Sequence, residues 1–425
     1  MIILQPTYQV NAGCDSQPFW SEIDRGTYPD VYRAKIAVQI NGTDYQQNGQ
    51  TALLIADAQE VDPYTWQFRW DISSVLKEYF AQQQRDAGDL PLCFQSSLVG
   101  WNGITDLYDS YCKALCNVAY YEIDGQNHEI ASAATDQSIE FSFINASTRF
   151  DEVTDLNAFD PNLSTPARFL TNCPQRQVID IFEAAFLSFV GFKDCINASI
   201  RYRGFMADAT LQWTRIKYIT APGYSVQQIP TGLRQLKDMQ ANGDFDISSG
   251  TFTTNIDGYT VEVGCFDGED FVPFTETYVY EVQDNCGMRL FFKNTFGVVD
   301  AVTFTGVNQI TNNPVSRLYA KIMDNTIPST PQMFGAAKYG AVDFDVYRLS
   351  LDNVNGEQRQ WLRELQVSPL VCMEIGGAFG KTGGDFEFVP VRIDDVEGLI
   401  YDRTASVYPL ELTLRVAQNK YTSVI

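Results

Sequence analysis

The sequence predicts a mainly β protein, built as several β-sandwich or barrel-like modules with a few short helices. Three observations carry that expectation. Apolar and polar residues alternate at a period of two in segment after segment, the pattern of half-buried strands. The apolar complement is aromatic, with 28 Phe and 22 Tyr against 7 Met, and such side chains suit pleated surfaces. The strand-like segments are short and are punctuated by Gly, Asp and Asn turns, the spacing of sandwiches and barrels. A chain of 425 residues, 45% of them hydrophobic, has room for about two to four domains.

Residues 1–130 read as a β-rich module. In Val31–Ile40, the residues Tyr32, Ala34, Ile36, Val38 and Ile40 share one face, opposite Arg33, Lys35 and Gln39. Asn41-Gly42 supplies a tight turn. A strand over Thr65–Trp70 runs into a short helix over Asp71–Phe80 that gathers Val75, Leu76, Tyr79 and Phe80 on one side, with Asp71, Ser73 or Ser74 as its cap. Cys116–Ile123 is the last strand, closed by a turn at Asp124-Gly125.

Residues 131–310 form a middle β module. It opens on the alternation of Ile139, Phe141 and Phe143, followed by a proline-bearing loop from Asp151 to Pro174. Gln175–Phe189 is the best helix candidate: Val178, Ile181, Phe182, Ala185 and Phe189 form a stripe opposed by Arg176, Gln177, Asp180 and Glu183. Short strands follow, among them Tyr259–Val263 and Thr277–Val282, with turns at Asn242-Gly243 and Asp257-Gly258.

Residues 311–425 form a C-terminal β module behind a polar tract with Pro314, Pro328 and Pro331. Val342, Phe344 and Val346 alternate with Asp343 and Asp345; Glu357–Gln366 reads as a helix presenting Trp361, Leu362 and Leu365. Leu410–Val416 closes the chain with its leucines on one face.

The net charge of -23, from 30 basic and 53 acidic residues, argues against nucleic acid, because a polyanion is repelled by such a chain. The start, Met1–Pro6, shows no targeting pattern, and the most apolar window, Ile181–Phe192, is interrupted by Glu183 and is too short for a bilayer. The expectation is a chain that folds in a cytoplasm, with no membrane insertion. There the nine cysteines read as small buried apolar residues, without disulfides.

No chemistry emerges. His128 is the single histidine, set beside the Asp124–His128 turn, where a solvated loop residue is the natural reading. Cys112 and Cys116 have a zinc-compatible spacing but no second close pair. Gly376–Gly384, with Lys381, resembles a phosphate loop, yet Ile375 stands where the first glycine belongs and a strand, Asp385–Val391, follows. That segment reads as a hairpin loop. Asp394-Asp395 is an acidic pair of the kind a chain with 53 carboxylates contains anyway. The expectation is no enzyme: no catalytic, cofactor-binding or metal residues, and no cofactor.

Several segments, in order, resemble a family of virion structural proteins from tailed phages of Bacteroidetes hosts. They are Phe169–Pro174, Cys286–Asp300 with Thr303-Phe304, Trp361–Pro369, and Phe388–Ile393 with the closing strand. Weaker echoes lie at Asp71–Ser74 and Val118–Tyr121. In Cys286–Asp300 the likeness is to a strand, an Asn-x-x-Gly turn and a second strand. The resemblance implies a tail or baseplate component, similar to distal-tail proteins. It would be assembled in the host cytoplasm and carried in the virion. It would contact other tail proteins and itself in a ring-like homo-oligomer, most plausibly a hexamer. A carbohydrate-binding or adhesin-like β protein is the alternative, motivated by Trp and Tyr near Gly turns. A carboxylate glycosidase is a third reading.

Overall fold

The computed structural model describes residues 3–6, 18–44, 46–47, 50–51, 53–86, 104–107, 111–124, 126, 128–134, 136–145, 158–159, 166–191, 198–219, 226–267, 270–284, 287–306, 309–312, 315–320, 336–343, 345–375, 387–397, 408–416 and 421–424. These residues are mainly β, in several largely antiparallel sheets, with three helices among them: α1 (Ser73–Asp86), α2 (Leu233–Asn242) and α3 (Gly356–Val367).

The first sheet is organised by the strand Val31–Ile40, which pairs with Tyr111–Ile123 on one side and Leu53–Asp57 on the other. Asn41 and Gly42 take positive φ, 50° and 79°, as a primed two-residue turn requires. A four-stranded sheet containing Pro18–Asp24 and Thr65–Asp71 lies beside it. Ile36, Val38, Phe68, Leu76 and Tyr120 belong to one shared core. Helix α1 buries Val75, Leu76 and Phe80 as its spacing predicted, and Asp71 Oδ1 accepts from the Ser73 amide at 2.9 Å. One register detail differs. A bulge opposite Tyr121 and Glu122 turns Val31 inward and Tyr32 outward, so Tyr32 is 45% exposed. A bulge adds one residue and so flips the alternation beyond it.

The first module reaches past residue 130. Gln137–Ile144 pairs with Tyr111–Val118 along its whole length, which places Phe143 in the first core.

The middle sheet runs through Arg176–Ile179, Tyr278–Val282, Gly258–Asp267, Ala198–Phe205, Leu211–Tyr218 and Ile247–Ser249. Trp213, Tyr202, Tyr259, Tyr278 and Tyr280 fill the core beneath it. Here the expected helix over 175–189 is corrected. Arg176–Ile179 is a strand, parallel to Val279–Val282, and Phe186–Val190 is another, antiparallel to Val226–Pro230. Between them, the amide of Phe182 donates to Asp180 Oδ1 at 2.8 Å and that of Asp180 to Glu183 Oε2 at 3.0 Å, which makes a turn. The helical face is also broken: Val178 and Phe182 are 44% and 64% exposed while Asp180 and Glu183 are buried, although Ala185 and Phe189 of the same stripe are covered. A strand buried on both faces carries an apolar run without alternation, and in Phe186–Val190 that run mimicked a helical stripe. The helix of this region is α2, where Leu233, Leu236 and Met239 are fully covered. Asn242-Gly243 is its end, not a strand turn; Gly243 takes φ 74° as the left-handed cap.

The last large sheet has the order Val299–Phe304, Met288–Lys293, Val371–Ile375, Glu387–Glu397, Tyr408–Val416, Asp345–Val354, Gln309–Asn312. It curls until the amide of Gly306 reaches the carbonyl of Ser350 at 2.9 Å, a barrel-like form. Trp361, Leu362 and Leu365 of α3 pack with Leu290, Phe292, Leu410, Leu412 and Leu414. Helix α3 begins with a capping box between Asn355 and Gln358. The expected boundary at 310 therefore moves: the hairpin 288–304 belongs to the C-terminal sheet, because cross-strand pairing holds it there.

Candidate functional site: a buried polar junction

The hairpin 288–304, the segment 166–174 and helix α3 meet where the middle and C-terminal sheets join. The hairpin turns at Asn294–Gly297. Asn294 Oδ1 accepts from the amides of Phe296 and Val298 at 3.0 and 3.2 Å, and its Nδ2 donates to the Leu170 carbonyl at 2.9 Å. Gly297 takes φ 80°, and a Cβ there would lie 1.9 Å from the Asn145 carbonyl oxygen. The turn thus presses against the end of the first sheet. Phe296 enters a small shared core with Phe159, Ile144, Leu170 and Val226.

Asp300 sits at the centre, 5% exposed. Its Oδ2 accepts from Thr171 Oγ1 at 2.8 Å and from Trp361 Nε1 at 2.7 Å. One helical turn on, Glu364 accepts from Asn172 Nδ2 at 2.7 Å and from Thr295 N and Oγ1 at 2.9 and 3.0 Å. Burial pushes the Asp300 carboxyl up to about 7, and the neighbouring Glu364 adds to the rise, against the hydrogen bonds from Trp361, Thr171 and Asn294. No ion pair to Asp300 occurs among the described residues.

A second polar group lies alongside. Arg289, 6% exposed, donates through Nη1 to Glu183 Oε2 at 2.8 Å and to Thr303 Oγ1 at 2.6 Å. Glu374, its side chain 7% exposed, stands 3.9 Å from Arg234 Nη1. Burial raises the Glu374 carboxyl to about 7, helped by Glu183 and opposed by Arg289 and Arg234. Between the two groups is a space of about 10 Å³ bordered by Asp300, Arg289, Cys173 and Tyr278, enough for one water. Gln177 rests its side-chain amide on the Cys173 sulfur. Burial, then the nearby Asp300, raises the Cys173 thiol well above its ordinary range, which makes it a poor nucleophile.

Perturbed carboxyls mark functional sites when they line a cleft, and ion-pair networks when they do not. A glycosidase pair must flank a sugar, and 10 Å³ admits none. The arrangement can hold three chain segments in one geometry and can bind or release a proton.

The residues singled out in the sequence lie elsewhere. His128 is 70% exposed in the Asp124 turn, where Asp124 Oδ1 accepts from the Gln126 and His128 amides, each at 2.8 Å. Cys112 and Cys116 are both fully buried on one face of a single strand. Four residues of strand separate them by roughly 13 Å, too far for one metal ion. Burial pushes the Cys116 thiol up to about 12 and that of Cys112 higher still. Among the described residues, no three His, Cys, Asp or Glu gather as a metal site, and Cys112, Cys116, Cys173 and Cys372 are free thiols. Asp394 is engaged by Arg392 through Nε and Nη2 at 2.9 and 2.7 Å. The side chain of Asp395 and the whole of 376–386, with Lys381, lie outside the described residues. No helix among the described residues is long and apolar enough to cross a membrane.

Sequence reasoning missed Arg289, Asp300, Glu364 and Glu374 as site residues. A signal existed: Asp300 and Glu374 are lone charges inside otherwise apolar runs, Val298–Val302 and Val371–Ile375, and Arg289 directly precedes the apolar run Leu290–Phe292. Such a charge must be paired or must shift its protonation.

No protein-family model matches the chain, and no curated protein matches it. Among solved structures, one neighbour is named "Biofilm associated protein - BSP domain", at 10% identity and a TM-score of 0.18, covering 81% of this chain. The chain spans 64% of that neighbour's length, and a likeness at this score carries no argument.

Proposed function

We propose that the chain is a virion structural protein of a tailed phage, a tail or baseplate component that acts through assembly and not as an enzyme. One observation carries the reading. Three of the segments that resemble the phage family, Phe169–Pro174, Cys286–Asp300 and Trp361–Pro369, converge on the buried junction, as Thr171, Asp300, Trp361 and Glu364 show. What these segments share is a joint that fixes sheets against one another, as a part that transmits force needs, and the joint is closed to any sugar-sized substrate.

Contact with a neighbouring copy falls most naturally at the edge strand Arg176–Ile179, outermost in the middle sheet, with Val178 and Phe182 exposed beside it. An unpaired edge is a template for pairing, and here Val178 and Phe182 add apolar surface beside Arg176, which is paired with Glu281. The opposite edge of the four-stranded sheet, Gln59–Asp62, is exposed throughout and carries Glu60 and Asp62, which blunt it. A ring, with six copies as the family resemblance implies, would use apolar contacts of this kind to offset the repulsion of strongly acidic copies.

The test is to reconstitute the chain with the proteins of adjacent genes and to examine it by mass photometry and electron microscopy, beside mass spectrometry of purified virions. Rings, and the chain in virions, are expected. A chain that stays monomeric and is absent from virions overturns the assignment, and saturable binding on a glycan array would favour the adhesin-like alternative.

A further inference from the structure

We propose that Asp300 is a proton-operated latch: carrying its proton it closes the joint between the 166–174 segment, the 288–304 hairpin and helix α3, and losing the proton loosens that joint. The inference stands apart from the phage reading and starts from the geometry of the junction.

Asp300 is enclosed, and its two closest donors, Thr171 Oγ1 and Trp361 Nε1, are neutral. The charged and titratable groups around it come from every packed element. Helix α3 brings Glu364, the 166–174 segment brings Cys173, the middle sheet brings Tyr278 and Tyr280, and the strand beside it brings Arg289, which is bonded to Glu183. Glu374 and Arg234 stand behind Arg289. Two carboxyls in one dry site are least costly when one of them is protonated. The cavity decides which. Both carboxyls accept from neutral donors, Glu364 from Asn172 and Thr295 and Asp300 from Thr171 and Trp361 with Asn294 beside it. Of the two, Asp300 is the one that borders the small cavity, where a proton on it has room. The proton therefore belongs on Asp300.

The sign follows from linkage. Asp300 titrates at about 7 in the fold and near 3.8 when exposed, so the closed joint holds a proton that the open joint does not. The stabilisation is complete below about pH 3.8 and is lost as pH rises through about 7. Between pH 6 and pH 8 the opening equilibrium should shift by about tenfold towards open.

Hydrogen exchange followed by mass spectrometry, corrected for intrinsic rates, reads this locally in the full chain. Protection of 168–174 and 356–367 is expected to fall about tenfold from pH 6 to pH 8, relative to the reference strand Val31–Ile40. Asp300→Asn imitates the protonated acid and should hold the joint closed with a flat profile. Glu374→Gln should keep the wild-type profile. A flat wild-type profile overturns the proposal, and this arm needs no variant to fold. So does a slope that survives Asp300→Asn, or one that disappears in Glu374→Gln.

Discussion

The first sheet and the buried junction both carry networks of charge, and they use them in opposite ways. On the outer face of the first sheet, Arg33 reaches Asp57 at 2.8 Å and Glu129 at 2.7 Å, and Lys35 also meets Glu129. These groups border water, where ion pairs contribute little and salt screens them. The core under them is closed by Val31, Ile36, Val38 and Phe68 without their help. At the junction, Arg289, Glu183, Asp300 and Glu364 replace part of the apolar core. Removing one partner there leaves a buried group uncompensated. The same residue types therefore decorate one region and define the geometry of the other.

The largest expected effect comes from Arg289→Met, which leaves the buried Glu183 without its charged partner. A loss of about 3–5 kcal/mol is expected from urea denaturation; a loss no greater than that of a surface variant would erase the contrast. Next is Gly297→Ala. It forces a side chain into φ 80° and against the Asn145 carbonyl, for a cost of about 1–3 kcal/mol. Trp361→Phe keeps the ring beside Phe292 and removes the donor to Asp300, which should cost about 1–2 kcal/mol in the same assay.

Phe182→Ser separates the turn from the helix that the sequence suggested. In a buried helical stripe the change would cost about 3 kcal/mol or more; on the exposed turn it should stay within about 0.5 kcal/mol, while ring formation weakens if this edge meets a neighbour. The smallest effect belongs to Glu129→Gln on the first sheet. No resolvable change in the denaturation midpoint is expected at physiological salt, and a clear shift there would show that the outer network matters to stability.

Much of the architecture was legible because it depends on local pattern. The Val31–Ile40 strand, helix α1 with Phe80 inward and helix α3 with Trp361 inward all follow from periodicity. The Asn294–Gly297 turn was implied by the family resemblance, but not its place against Asn145 and in the small core of Phe159, Ile144 and Leu170. Helix α2 carried its signal in Leu233, Leu236 and Met239, within a region whose strand pattern drew attention away from it. The junction was illegible in a different sense. Thr171 lies 129 residues from Asp300, and Asn172 lies 192 from Glu364, and no periodicity reports a pairing at that separation.

The sequence by itself determined the fold class, the strongly acidic surface and the residue faces of isolated strands and helices, because those depend on neighbours a few residues away. Tertiary structure alone decided that 175–189 is two strands and a turn, that 288–304 joins the C-terminal sheet, and that Asp300 is buried. In each case the deciding energy is pairing or desolvation supplied by distant segments. A strand buried on both faces has lost the alternation that identifies it, and a carboxyl keeps its proton only where the fold has removed the water.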